Sequence, residues 1–227
     1  MTIADNLRTI HGQMVDAARR AGRDPDTVRL VAVSKTKSAD LVTESALHGQ
    51  RLFGENYVQE LIAKAALVPE QVEWHFIGSL QSNKVKQLAG LVTMIHSVDR
   101  LSLAEEIDRQ WGKLGKCCDI LIQVNISQES TKSGTSQGEL IDLVRSVALL
   151  PHVRVKGLMT MPPFFDDPEG ARPFFRELQV LARAIAAEHI PGAAMTELSM
   201  GMSGDFEVAI EEGATLIRVG SAIFGYR

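Results

Sequence analysis

The chain has 227 residues, of which 45% are hydrophobic and 23% charged. Against roughly 150 residues per domain, this length predicts one large domain over 1–227 with a sizeable core, and it excludes disordered and fibrous classes. The balance of 24 Lys and Arg against 28 Asp and Glu gives a net charge of -4, so no basic excess recommends a nucleic-acid partner.

No apolar run approaches the ~18 residues of a membrane helix, which predicts no membrane partner. The opening stretch MTIADNLRTIHGQ lacks the layout of a signal peptide. A cytoplasmic protein is expected. The two cysteines, Cys117 and Cys118, are adjacent, a spacing that disfavours a disulfide and, with no second pair or nearby His, a zinc site. They read as reduced structural thiols.

In chain order, Ile3, Leu7, Ile10, Met14 and Ala17 recur at helical spacing and predict an opening amphipathic helix. Short segments rich in Val, Ile and Leu follow at 28–35, 51–56, 72–79, 94–99, 119–127, 153–161, 195–201 and 215–224. Each reads as a strand, and the stretches between them carry helical period. The clearest place Ala104, Ile107, Trp111 and Leu114 on one face, then Leu140, Leu143, Val147 and Leu150. A helical region over 166–190 opens with Asp and Pro signals and stops before Pro191 and Gly192. Eight β/α pairs behind an extra N-terminal helix predict an α/β fold, a single (β/α)8 TIM-type barrel. The rival is a doubly wound open sheet, but no GxGxxG follows the first strand.

Active sites of such barrels lie at the C-terminal ends of the strands. Lys35 ends the first predicted strand, in VAVSKTKS. An amine partly desolvated at the barrel mouth is suited to forming a Schiff base, although a solvated loop lysine explains the position equally well. Lys37 is the weaker candidate. The seventh and eighth strands lead into LSMGMSGDFEVAIEEG (198–213) and RVGSAIFG (218–225). Their glycines and serines, Ser199, Gly201, Ser203, Gly204, Gly220 and Ser221, suit a phosphate site, which this fold commonly builds there. Arg218 lies two residues before Gly220, so it shares that face. Its bland reading is an ion pair with a carboxylate from another strand. Asn56 and His75, near strand ends, read as hydrogen-bonding groups satisfied in place.

The motifs VAVSKTK (31–37), FGENYVQE (53–60), WHFIGSLQSNK (74–84), SVDR (97–100), VNISQESTKSG (124–134), GLMTM (157–161), LSMGMSGDFEVAI (198–210) and IRVGSAIFG (217–225) span nearly the whole chain. In that order the sequence resembles the pyridoxal phosphate homeostasis protein family, also described as the YggS/PROSC type. The resemblance implies a barrel like the alanine racemase N-terminal domain, with pyridoxal 5'-phosphate (PLP) as cofactor. It implies Lys35 as the Schiff-base lysine, Ser199, Met200, Gly220 and Ser221 around the phosphate, Arg218 facing the pyridine nitrogen and Asn56 near the ring. A departure at Gln128, where the family more often shows Gly, falls away from these positions.

An arginine only donates hydrogen bonds, so opposite a ring nitrogen it discourages ring protonation and weakens the cofactor as an electron sink. Alanine racemases resemble this arrangement and add a tyrosine from a second domain. Here the only tyrosines are Tyr57 and Tyr226. The expected role is therefore to hold PLP for vitamin B6 homeostasis without turnover, as a monomer, with PLP-dependent apo-enzymes as recipients. One alternative is a PLP-dependent amino-acid racemase or related fold type III enzyme, with Tyr57, His75 or Lys132 as second acid or base. Another is a cofactor-free Schiff-base aldolase using Lys35.

Overall fold

A computed structural model of the chain describes residues 2–68, 71–129 and 133–225. Helix α1 (Ile3–Arg20) precedes an alternating series: β1 (Arg29–Val33), α2 (Ala39–Leu47), β2 (Leu52–Glu55), α3 (Val58–Ala65), β3 (Glu73–Phe76), α4 (Val85–Leu88), β4 (Met94–Val98) and α5 (Leu101–Gly112). It continues through β5 (Cys118–Gln123), α6 (Leu140–Val147), β6 (Val153–Met159), α7 (Arg172–Ala187), β7 (Ala193–Ser199), α8 (Phe206–Glu211), β8 (Leu216–Val219) and α9 (Ser221–Phe224). The eight strands close in sequence order into a parallel barrel, and β8 completes it by pairing with β1. Among the described residues no helix is long and apolar enough to cross a membrane, and both cysteines are free thiols.

Side-chain alternation sorts the core into two parts. Val31, Leu52, Met94, Leu121, Met159 and Leu216 meet inside the barrel. Their strand neighbours, including Leu30, Ala32, Phe53, Ile95, Ile120 and Ile217, face outward and pack beneath the helices, as a period of two requires. All five apolar positions of the opening helix are buried in α1. Its N-terminus is fixed by a capping box in which Thr2 and Asp5 satisfy each other's backbone N–H groups. The region before α7 begins with Asp167 accepting from the Glu169 N–H.

Several boundaries differ from the sequence reading, most clearly three. Leu114 lies past the end of α5 and is exposed, and Leu150 lies past the end of α6. The last strand stops at Val219 rather than near 224, and residues Ser221–Phe224 wind into α9. There the Phe224 N–H donates back to Gly220 O at 2.9 Å. A short apolar run such as AIF fits a buried strand and a buried helical turn equally well.

Candidate functional site

At the C-terminal mouth of the barrel lies a cleft of about 500 Å3 lined by Val33, Lys35, Asn56, Ile77, Arg218, Gly220, Ser221 and Ala222, with the Met202–Asp205 loop and Met161, Phe164 and Phe165 on its rim. Val31, Val33 and Lys35 alternate with the strand period, which brings the exposed Lys35 over the opening. It sits in a tight turn closed by the Lys37 N–H donating to Ser34 O at 3.0 Å, with Thr36 at φ 64°.

That turn rests on a buried ionic cluster. Lys64 Nζ, from α3, donates to Glu55 Oε1 at 2.6 Å, to Ser34 O at 2.7 Å and to Glu60 Oε2 at 3.0 Å. Ser34 Oγ also donates to Glu55 Oε1, and the Thr36 N–H donates to Glu60 Oε2, each at 2.7 Å. Burial raises the Glu55 carboxyl above its usual range, opposed by the hydrogen bonds from Lys64 and Ser34. Neither Glu55 nor Lys64 stood out in the sequence; a lysine at i+4 from a glutamate, as Lys64 is to Glu60, was the available signal.

Asn56 follows β2 and is clamped by Gly78, where an added Cβ would lie 2.2 Å from Asn56 O. Its Oδ1 is buried and has no hydrogen-bond partner among the described residues, an omission that costs about 1–3 kcal/mol unless a ligand supplies a donor. Across the cleft, the Gly220 and Ala222 N–H groups both point at Ser203 Oγ, at 3.2 and 3.4 Å. Converging backbone donors of this kind suit an anion's oxygen. The Met202 N–H is held by Asp205 Oδ1 at 2.6 Å, and burial raises that carboxyl against the opposing Met202 hydrogen bond.

Two of the residues expected around the phosphate lie behind the cleft wall. Ser199 and Met200 are fully buried and do not line the cleft. Ser199 Oγ is engaged by Arg218 and His96, and the Met200 N–H pairs with Leu216 O at 3.2 Å. Their place on the cleft wall is taken by Met202, Ser203 and Gly204. Lys35, Asn56, Arg218, Gly220 and Ser221 do converge on it.

Arg218 is 4% exposed. Nη1 donates to Ser199 Oγ at 2.5 Å and Nη2 to Thr160 O at 2.9 Å. Among the described residues no carboxylate pairs with it directly; burial pulls it down to about 10, with Asp205 opposing. The expected alternative, an ion pair across the barrel, is absent among those residues. His75 is a satisfied core group, with Nδ1 2.9 Å from His96 Nε2. Neither His75 nor the exposed Tyr57 lines the cleft, and Lys132 and Tyr226 lie outside the described residues.

The alanine racemase N-terminal domain family matches residues 6–227. Over its full length the chain is also similar to the pyridoxal phosphate homeostasis proteins of Aquifex aeolicus, 44% identical over 100% of this chain and 99% of that one, and of Escherichia coli K12, 42% identical over 99% and 97%. The chain belongs to the pyridoxal phosphate homeostasis protein family. Another similar structure is PipY of Synechococcus elongatus PCC7942, solved with PLP bound, at TM-score 0.86 and 36% identity over 99% of this chain and 100% of that one. Alanine racemase of Clostridium difficile 630 shares the fold, at TM-score 0.74 and 14% identity over 98% of this chain. This homeostasis-family chain covers only 57% of the racemase chain.

Proposed function

We propose that this chain, as one domain over 1–227, binds PLP in the mouth cleft and serves intracellular vitamin B6 homeostasis. The observation that carries the reading is that one cleft of about 500 Å3 is lined by an amine, a buried guanidinium with no carboxylate bonded to it among the described residues, and a loop rich in backbone donors: Lys35, Arg218 and the Ser203–Gly220–Ser221 rim. A phosphorylated pyridine aldehyde has a matching group for each. When bound, PLP supplies an aldehyde that condenses reversibly with an amine and a ring that withdraws electrons.

Lys35 is the amine for a Schiff base. Ser203, Gly204, Gly220 and Ser221 would hold the phosphate, for which the N–H groups now on the Ser203 hydroxyl are suited donors. Arg218 would serve the ring nitrogen as a donor and disfavour its protonation. Asn56 would flank the ring, where its Oδ1 could accept from the ligand. Ser199 and Met200 support these contacts from behind. The residues named for a second acid or base do not line the cleft among those described, which favours a carrier without turnover, cytoplasmic and monomeric, that passes PLP to apo-enzymes.

The deciding experiment is the visible spectrum of the purified protein with PLP, before and after borohydride, followed by peptide mapping. A reducible band mapped to Lys35 supports the reading; an adduct on another lysine, or none, overturns it. Exchange of an amino acid's α-proton in deuterated water would reject the carrier role in favour of an enzyme.

A further inference from the structure

Two buried cations in this molecule are treated differently. Lys64 meets two carboxylates. Arg218, deeper in the barrel, is held by a file of neutral groups.

The direction of that file follows from donor and acceptor capacity. Arginine has only donors, so Ser199 Oγ accepts from Arg218 Nη1. The hydroxyl has one other partner among the described residues, His96 Nδ1 at 2.9 Å, so its own hydrogen goes there. Nδ1 of His96 is then the bare nitrogen and Nε2 carries the hydrogen, which is donated to His75 Nδ1 at 2.9 Å. Both imidazoles take the Nε2–H tautomer. Burial holds His75 neutral, down to about 3, and burial together with the Arg218 charge drives His96 well below its usual value. The rings contact each other with centroids 4.9 Å apart, and both are encased by the barrel.

This file orients the guanidinium without neutralising it. A carboxylate in the place of Ser199 or His96 would hold Arg218 equally well but would cancel the charge that a ligand could use. We infer that His96, braced by His75 and acting through Ser199, is a positioning residue for the cofactor: it holds Arg218 at the cleft as a purely donating cation whose hydrogen-bond partners are neutral. The inference rests on the PLP reading above.

The test compares His96→Leu, which removes the acceptor for Ser199, with His96→Asn, which restores an acceptor oxygen near the position of Nδ1. Each full-length protein is titrated with PLP, and the visible band of the complex is followed against pH. His96→Leu is expected to weaken PLP binding about tenfold, the scale of one buried charged hydrogen bond, and to move the pH midpoint of the band. His96→Asn recovers most of both. In an Arg218→Ala background His96→Leu adds no further loss. Ser199→Ala, which removes a single oxygen, reproduces the His96→Leu effects and decides the matter where the leucine variant does not fold. Equal losses for the leucine and asparagine variants, additive losses with Arg218→Ala, or wild-type titration by Ser199→Ala each overturn the inference. A wild-type chain that takes up no PLP would defeat the functional reading itself, whereas normal uptake with insensitive variants defeats only the role of His96.

Discussion

Lys35 was legible because strand alternation is regular up to the point where the chain turns: Val31 and Val33 face inward, and Lys35 continues their direction over the cleft. Replacing it with Ala should abolish the reducible PLP band while leaving the thermal melt within about 0.5 kcal/mol of wild type, since it is an exposed side chain. A lowered melt with an intact band would contradict that assignment. The burial of Ser199 and Met200 was not legible, for the opposite reason. Beyond the last ladder pair, Ser199 with Leu216, no period says which loop residue turns toward the cleft, and Ser203 does so four residues later. Gln128 shows what a departure from family preference means locally. It adopts φ 55°, the left-handed region that costs an L-residue about 1–2 kcal/mol. Gln128→Gly should relieve this and raise unfolding stability by up to about 1 kcal/mol after the greater freedom of the unfolded glycine is subtracted. Denaturant titration gives the sign, and a loss of stability would refute the account.

Among the elements, β2 and α3 act together as the footing of the Lys35 turn. Lys64 and Glu55 are both buried and joined at 2.6 Å, so Lys64→Met leaves a carboxylate without its cation and should cost about 3–5 kcal/mol. The same variant should loosen the turn and weaken PLP uptake. Unchanged urea unfolding would show that the cluster contributes no such support. The sequence disguises this pair because both residues sit inside otherwise apolar patterns, where a charge is ordinarily taken to face solvent. Gly78 is the corresponding footing for Asn56. Gly78→Ala puts a methyl group into the Asn56 backbone and should lower the melting temperature and PLP affinity together. The β8 boundary was missed for a different cause: Ser221, Ala222, Ile223 and Phe224 carry no periodic signal in four residues, and only the backbone at Gly220 separates the strand from α9.

At the scale of the whole molecule, the alternation of eight short apolar segments with amphipathic helices was sufficient to predict a closed barrel, because a parallel strand needs a crossover and helices must cover the outer face. The polar interior was not legible, since His96 lies in a run, Met94–Val98, that is buried throughout. That interior should govern acid stability. His75 falls from 6.5 to about 3 on folding, chiefly through burial, and His96 shifts the same way. In this window the unfolded chain binds more protons than the folded one, so stability falls as pH drops below 6.5, by about 1.4 kcal/mol per pH unit for each histidine. Urea unfolding between pH 7 and 5 measures this, and His75→Gln with His96→Asn should flatten the slope. A wild-type slope near zero would argue against neutral buried imidazoles.

The pairing of β8 with β1 also governs when this protein becomes competent. Lys35 emerges early from the ribosome, whereas Arg218 and Gly220 emerge near the end, with most of the chain between them. A nascent polypeptide therefore presents an amine without the opposite rim, and the proposed site would let the vitamin select only molecules whose first and last staves have met. With the proposed site, uptake of the ligand would report cylinder closure, and a ligand that binds the closed form alone would pull late-stage assembly forward as its free concentration rises.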